Sequence, residues 1–320
     1  MTVEAVLAVR NVVKQFRGVR AVDGVSFEVH KGTITGLLGR NGAGKTTTIR
    51  MVTGIFHPDR GSIEALGSPA GAPAVRDRIG YLPEERGLYK TMKVQDHLLF
   101  LGEIKGRRHA EAKAVAERWL RRLELWDRRD AKIEELSKGN QQKVQLVGAL
   151  VHGPELLVLD EPMSGLDPVN VVVVRRILAE LKSEGRTILL STHMMELAEN
   201  MADEVVLIHD GRVVLSGDLD AVRRAHGHNT VHLEFEGDGA FLARIPGVER
   251  VALQTNAAEV VLASGGDPQA LLAAAMLHLR IRRFEVASPS LEQIFVEKVG
   301  TASMRPPPAS RAEPTLEPVA

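Results

Sequence analysis

The chain has 320 residues, 44% of them hydrophobic, and its 41 Lys plus Arg match its 41 Asp plus Glu. That is long enough for two domains, and the balanced charge gives no global field to recruit nucleic acid or anionic lipid, so nucleic acid is not an expected partner. The absence of cysteine excludes disulfides, cysteine-ligated zinc and thiol catalysis, and agrees with a reducing cytoplasm. No stretch approaches the ~20 apolar residues of a membrane-spanning helix, and Glu4 with the short apolar run 5–9 does not read as a secretory signal. Any membrane role is expected to go through a partner.

Residues 6–16, 25–29 and 33–38 are β-rich runs separated by turns. The last enters Gly39-Arg40-Asn41-Gly42-Ala43-Gly44-Lys45-Thr46-Thr47, followed by a helical-looking 48–52. The spacing G-x-x-x-x-G-K-T reads as a P-loop. Glycines let successive N–H groups turn inward to phosphate oxygens, Lys45 adds a point charge for the β- and γ-phosphates, and Thr46 offers a hydroxyl to Mg²⁺ where the helix dipole favours an anion. Gly54 closes that helix, and 62–65 and 79–82 read as further strands. From 94 to about 125 apolar residues recur at helical spacing, giving a helical insert whose Arg and Lys side chains (Arg107, Arg108, Lys113, Arg118, Arg121, Arg122, Arg128, Arg129) read first as a solvated face.

Leu136-Ser137-Lys138-Gly139-Asn140-Gln141 then opens a helical run through His152, and 156–161 is an apolar strand ending in Asp160-Glu161. A helix over 168–184 has Pro just inside its start and Gly185 beyond its end. Strand 187–191 runs into Thr192-His193, and 204–209 and 212–217 flank Asp210-Gly211, a hairpin signal. The order implies an α/β core with a mostly parallel sheet, plus an antiparallel β part. Beyond Gly227 the pattern becomes β-α-β-β-α-β, which predicts a small ferredoxin-like α+β unit, followed by a helix over 291–299. The Pro-rich residues 301–320 read as a disordered tail. The expected organisation is therefore a first domain over 1–227, with its helical subdomain at about 92–152, an accessory domain over 228–300, and the tail.

Strand alternation sends Asp160 and Glu161 to opposite faces, so they are expected to do different work: one serving Mg²⁺, the other polarising the attacking water. The ordered set Phe16, the P-loop 39–47, Tyr81-Leu82-Pro83-Glu84, 136–141, Leu159-Asp160-Glu161-Pro162, 164–167 and His193 resembles the ATPase subunit of an ATP-binding cassette (ABC) transporter over residues 6–225. The resemblance implies an ATP- and Mg²⁺-dependent ATPase that energises transport, namely export, through a separate transmembrane permease. It would lie in the cytoplasm, peripheral on the inner face of the membrane. By the same resemblance Gly39, Asn41, Gly42, Ala43, Gly44, Lys45, Thr46 and Thr47 bind ATP, with Phe16 stacking on adenine. Thr46 and Asp160 serve Mg²⁺, Glu161 is the catalytic base or water-polariser, and His193 contacts the γ-phosphate. Ser137, Lys138, Gly139 and Asn140 would reach the ATP held by a second ABC ATPase subunit, in a homo- or heterodimer, with Asp167 at the seam.

Two departures stand out. Lys138 and Asn140 replace a glycine and a glutamine of the usual signature Leu-Ser-Gly-Gly-Gln. Glu84 occupies the place of a glutamine that touches Mg²⁺ and relays nucleotide state to the membrane partner, which points to modified coupling or Mg²⁺ dependence. The variants 82–89 and 136–140, with the appended C-terminal domain, resemble the branch that includes sodium-exporting ABC ATPases. The alternatives are a non-transport ABC ATPase, disfavoured by a single cassette without long heptads, and a nucleotide-binding regulator without turnover. His226, His228 and His232 lie in a linker without carboxylates or cysteines at ligand spacing and read as polar linker residues.

Overall fold

The computed structural model describes residues 4–85, 87–226, 230–263, 265–287 and 289–303. β1 (Ala5–Phe16) and β2 (Val19–His30) form an antiparallel hairpin, and β3 (Ile34–Leu38) runs into the P-loop and α1 (Lys45–Val52). β4 (Arg60–Ala65) and β5 (Ser68–Pro69) complete a sheet of order β2-β1-β4-β5. A short α2 (Pro73–Arg76) leads to β6 (Ile79–Leu82), and the helical insert follows as α3 (Val94–Ile104), α4 (His109–Arg122) and α5 (Lys138–Leu150). The break between α3 and α4, within a stretch that the sequence reads as continuously helical, falls at Gly106. Its φ of 82° and the bond from Arg107 N–H to Gly102 O (3.0 Å) terminate the first helix.

β7 (Leu156–Asp160), α6 (Pro168–Ser183), β8 (Thr187–Thr192), α7 (Met195–Glu199), β9 (Glu204–His209), β10 (Arg212–Asp218) and α8 (Leu219–His226) complete the first domain. The central sheet has the order β10-β9-β3-β8-β7-β6, parallel from β9 to β6, with β10 antiparallel at the edge. Asp210 (φ 46°) and Gly211 (φ 74°) make the tight turn joining β9 to β10.

Alternation sorts the central strands into two apolar layers. Leu157, Leu159, Ile188, Leu190, Val205 and Leu207 face a core shared with the helices, whereas Leu156, Val158, Leu189, Val206 and Ile208 face a core shared with α1 and the β1–β2–β4 sheet. A strand buried on both faces needs apolar residues at nearly every position, which is why β7 reads as an unbroken run. The basic residues in and around α4 are more engaged than a solvated stripe: Arg122 lies 4.6 Å from the Trp119 ring, Arg121 and Arg129 lie 4.2 and 4.5 Å from the Trp126 ring, and Arg107 donates to His152 O.

β11 (Thr230–Glu236), β12 (Val248–Leu253), β13 (Ala257–Leu262), α9 (Pro268–Met276) and β14 (Arg280–Ala287) form the C-terminal unit, whose antiparallel sheet has the order β12-β13-β11-β14. That order, with its own apolar core around Val231, Leu233, Phe235 and Val260, is the expected ferredoxin-like arrangement. The helix expected after β11 is a 3₁₀ segment, Gly239–Arg244, and the Phe235 ring packs so closely on its first residue that a Cβ on Gly239 would approach it to 2.5 Å. α10 (Leu291–Ser303) runs past the expected end of the last helix, and residues 304–320 of the tail lie outside the described residues, as does His228.

Candidate active site

The P-loop is shaped by what surrounds its glycines. Gly39 has φ 156°, and a Cβ there would lie 2.3 Å from Ile208 O; Gly44 has φ 105°, and a Cβ would lie 2.6 Å from Ala21 O. Both positions need glycine because β9 and β2 press on the loop. Gly42 (φ 81°) has no neighbour within 4 Å of its Cβ position, so its backbone is open to a ligand. α1 begins at Lys45 with no side-chain cap and no acidic residue in its first turn, leaving its N–H groups and dipole for an anion.

Lys45 is only 6% exposed, and its Nζ donates to Gly39 O (2.8 Å) and lies 3.5 Å from Glu161 Oε1. The Thr46 hydroxyl donates to Asp160 Oδ1 (3.3 Å), which also accepts from Ser191 Oγ (2.5 Å). Burial holds the Asp160 carboxyl above the usual carboxylate range, with the neighbouring Glu161 adding to the effect and the bonds from Ser191 and Thr46 opposing it.

Alternation alone does not separate Asp160 from Glu161. β7 ends at Asp160, and Glu161 adopts φ 48°, a left-handed conformation uncommon for a non-glycine residue, with its N–H held by Ser191 Oγ (3.0 Å). This turn aims Glu161 Oε1 at Lys45 and Oε2 at His193 Nδ1 (3.1 Å), while Asp160 faces Thr46. A backbone turn, not strand alternation, thus separates the two carboxylates: Glu161 reaches Lys45 and His193, while Asp160 stays fully buried against Thr46 and Ser191. Ser191, which sequence reasoning treated only as the end of a strand, joins them; its place two residues before His193 was the available signal.

A cavity of about 180 Å³ is lined by Ala21, Asn41, Gly42, Gly44, Lys45, Thr46, Thr47, Glu84 and Glu161. Glu84, distant in sequence, is thereby brought beside the P-loop. Residues 40–43 also border a second opening with His193, His209 and Asp210. Phe16 is not among the lining residues: it sits at the β1–β2 hairpin end, 39% exposed, edge-on to Phe56 at 5.4 Å.

Ser137, Lys138, Gly139 and Asn140 line neither opening. Ser137 caps α5, accepting from Asn140 N–H (3.3 Å), and with Lys138 it is exposed. Asp167 caps α6, accepting from Asn170 N–H (2.9 Å), and these hydrogen bonds hold its carboxyl below the usual range. A Cβ on Gly139 would meet Asn170 Nδ2 at 3.2 Å, so the two helix starts lie side by side, apart from the chain's own phosphate cradle.

Comparison with known proteins reads this geometry. Residues 22–164 match the family described as ABC transporter, and residues 217–299 match the C-terminal domain of ATP-binding proteins like DrrA1-3. The "Uncharacterized ABC transporter ATP-binding protein YhaQ" of Bacillus subtilis is 41% identical over 294 residues, 92% of this chain and 98% of that protein. The chain belongs to the ABC transporter ATP-binding proteins. A "Nod factor export ATP-binding protein I" of Burkholderia lata is 41% identical over 210 residues, 65% of this chain and 69% of that protein. The solved "Structure of ATP binding subunit of ABC transporter" aligns with TM-score 0.65 and 35% identity over 69% of this chain and 92% of that one. As a member of this family the chain is an ATPase.

Proposed function

We propose that this ABC ATP-binding protein hydrolyses Mg²⁺-ATP as one half of a closed pair and drives export through a separate membrane-spanning permease, on whose cytoplasmic side it sits. The observation that carries the reading is the division of the phosphate-binding groups: one chain holds Lys45, Thr46, Asp160, Glu161 and His193 around a cradle, and carries elsewhere a helix start whose Ser137 and Lys138 are exposed. A second copy, or a related subunit, completes each cradle with that helix tip and with Asp167 at the seam. Phe16, at the end of the hairpin whose second strand supplies the cavity-lining Ala21, stacks on adenine.

The residues present fit Mg²⁺: Asp160 Oδ2 is buried without a hydrogen-bond partner, an open acceptor beside the Thr46 hydroxyl. Thr46 and Asp160 would hold the ion, with Glu84 on the same wall, and it would supply charge neutralisation on the β- and γ-phosphates. Glu161, fixed between Lys45 and His193, orients the attacking water and takes up its proton. Lys45 and His193 stabilise charge on the transferred phosphoryl group.

Support for the permease comes from an apolar cleft of about 280 Å³ between α3, α5 and β6, reached by the segment after Glu84. It holds buried polar atoms without partners: both nitrogens of His97, Oε1 of Gln145 and Nδ1 of His152. Among the described residues no helix is long and apolar enough to cross a membrane. The "export" in the name of the Burkholderia relative supports the direction. Affinity capture from detergent-solubilised native membranes should bring down an integral membrane protein, and steady-state Mg²⁺-ATPase activity should disappear in Glu161→Gln. Absence of turnover in the parent chain would leave a nucleotide-binding regulator instead.

A further inference from the structure

The C-terminal unit returns to the ATPase domain through α10, and the residues that anchor it lie against the nucleotide site. A reciprocal capping box starts the helix: Ser290 N–H donates to Gln293 Oε1 (2.9 Å), and Gln293 N–H to Ser290 Oγ (3.2 Å). Leu291, Ile294 and Phe295 are 2%, 1% and 7% exposed and belong to the apolar core of the first domain, not to that of the C-terminal unit. Leu291 N–H donates to Glu199, at the end of α7, and Glu199 also pairs with Arg223 of α8 at 3.2 Å. α7 begins two residues after His193.

Phe295 meets the His209 ring edge to face, at 5.9 Å and 82°. His209 is the last residue of β9 and borders the opening shared by Arg40, Asn41, Gly42, Ala43 and His193. The turn that follows is tied to the P-loop by Gly211 N–H donating to Ala43 O (3.0 Å), and Ile208 O presses on Gly39. One helix of the appended unit therefore touches both structures beside the opening that His193 borders: the α7 segment following His193, and His209 at the end of β9.

We propose that Phe295 is a positioning residue for ATP turnover, acting through His209, so that the C-terminal unit sets the geometry of the His193 side of the nucleotide site. Nothing in this role requires Phe295 to touch ATP. The aromatic edge fixes the imidazole at the rim, and a shift of α10 is passed to the P-loop turn and to the His193 segment together. The inference rests on the ATP-turnover reading above. It predicts an effect on kcat more than on nucleotide affinity, because the contacts of Lys45 and Thr46 do not involve α10.

The test uses the full chain with Phe295→Ala, Phe295→Tyr, His209→Leu and the double variant Phe295→Ala/His209→Leu. Mg²⁺-ATPase kinetics, binding of a fluorescent ATP analogue and thermal unfolding are read on each. The expected result is a kcat loss of about tenfold in Phe295→Ala and in His209→Leu with nucleotide Kd within about twofold of the parent, recovery in Phe295→Tyr, and a double variant no worse than either single one. His209→Leu keeps the test decisive should Phe295→Ala fail to fold, since it approaches the contact from the partly exposed side. Unchanged kcat in folded Phe295→Ala or His209→Leu, or multiplicative losses in the double variant, would overturn the proposal and make α10 a packing strut. A parent chain that binds ATP without hydrolysing it would instead sink the function reading.

Discussion

At Glu161 a single backbone turn does what strand geometry cannot: it brings this carboxylate to the cavity wall while its neighbour Asp160 stays buried against Thr46 and Ser191. Ser191 holds that turn. Ser191→Ala leaves the buried Glu161 N–H unpaired and strips Asp160 of its short bond, so it should cost about 1–3 kcal/mol in urea unfolding of the nucleotide-free chain and reduce ATPase activity as well. Lys45→Ala removes the charge at the centre of the cradle and should abolish measurable ATP binding; retained binding and turnover would mean that the loop is not the nucleotide site. Glu84 adds negative charge to a cavity wall shared with Glu161. Glu84→Gln should therefore shift the Mg²⁺ concentration for half-maximal ATPase activity, and an identical Mg²⁺ titration would show that Glu84 takes no part in metal dependence.

Between α3 and α5 the elements bury two histidines in the cleft proposed for a partner. Burial pushes His97 from 6.5 to about 4, and burial likewise takes His152 to about 4, where Lys105 and Arg107 add to the effect while the bond to Ile79 O and Asp77 oppose it. Both fold in the neutral form. With the folded pKa below the unfolded one, their contribution is complete above about pH 6.5 and is lost as pH falls towards about 4, on the order of 3 kcal/mol for each. His97→Leu should flatten that fall when urea midpoints are compared across this window; an unchanged slope would place the acid sensitivity elsewhere. The capping of α6 by Asp167 and of α10 by Ser290 and Gln293 shows the same economy at helix ends: residues a sequence reader assigns to function or to a loop also satisfy free N–H groups.

At the scale of the whole molecule, the function proposed above divides the catalytic set between two places on one chain, which pairing would reunite. Glu161→Gln with ATP should accordingly elute at twice the monomer mass in light scattering and return to monomer when ATP is removed. A persistent monomer at saturating ATP would contradict a sandwich of two identical copies and require a related second subunit. The appended unit is folded around its own core, yet its last helix spends its apolar face on the first domain, so the chain's two units are linked by packing as well as by the linker before β11.

The local identities were legible from the sequence because short-range physics dictates them: the P-loop spacing, the apolar run of β7, the Asp210-Gly211 turn and the β-α-β-β-α-β order of the C-terminal unit each follow from steric or periodic rules acting over a few residues. The family resemblance also set Lys45, Thr46, Asp160, Glu161 and His193 in one expected series, and the fold links Lys45 to Glu161 (3.5 Å), Glu161 to His193 (3.1 Å) and Thr46 to Asp160. The sequence did not reveal that Ser191 would join both carboxylates, that Glu161 would leave the strand through a left-handed turn, or that Phe295 would reach His209. Those contacts link residues separated by about 30 to 86 positions. Contacts of that kind leave no periodic trace, because they are set by how the sheet, α7 and α10 pack, and packing is decided only when the whole chain has closed on its cores.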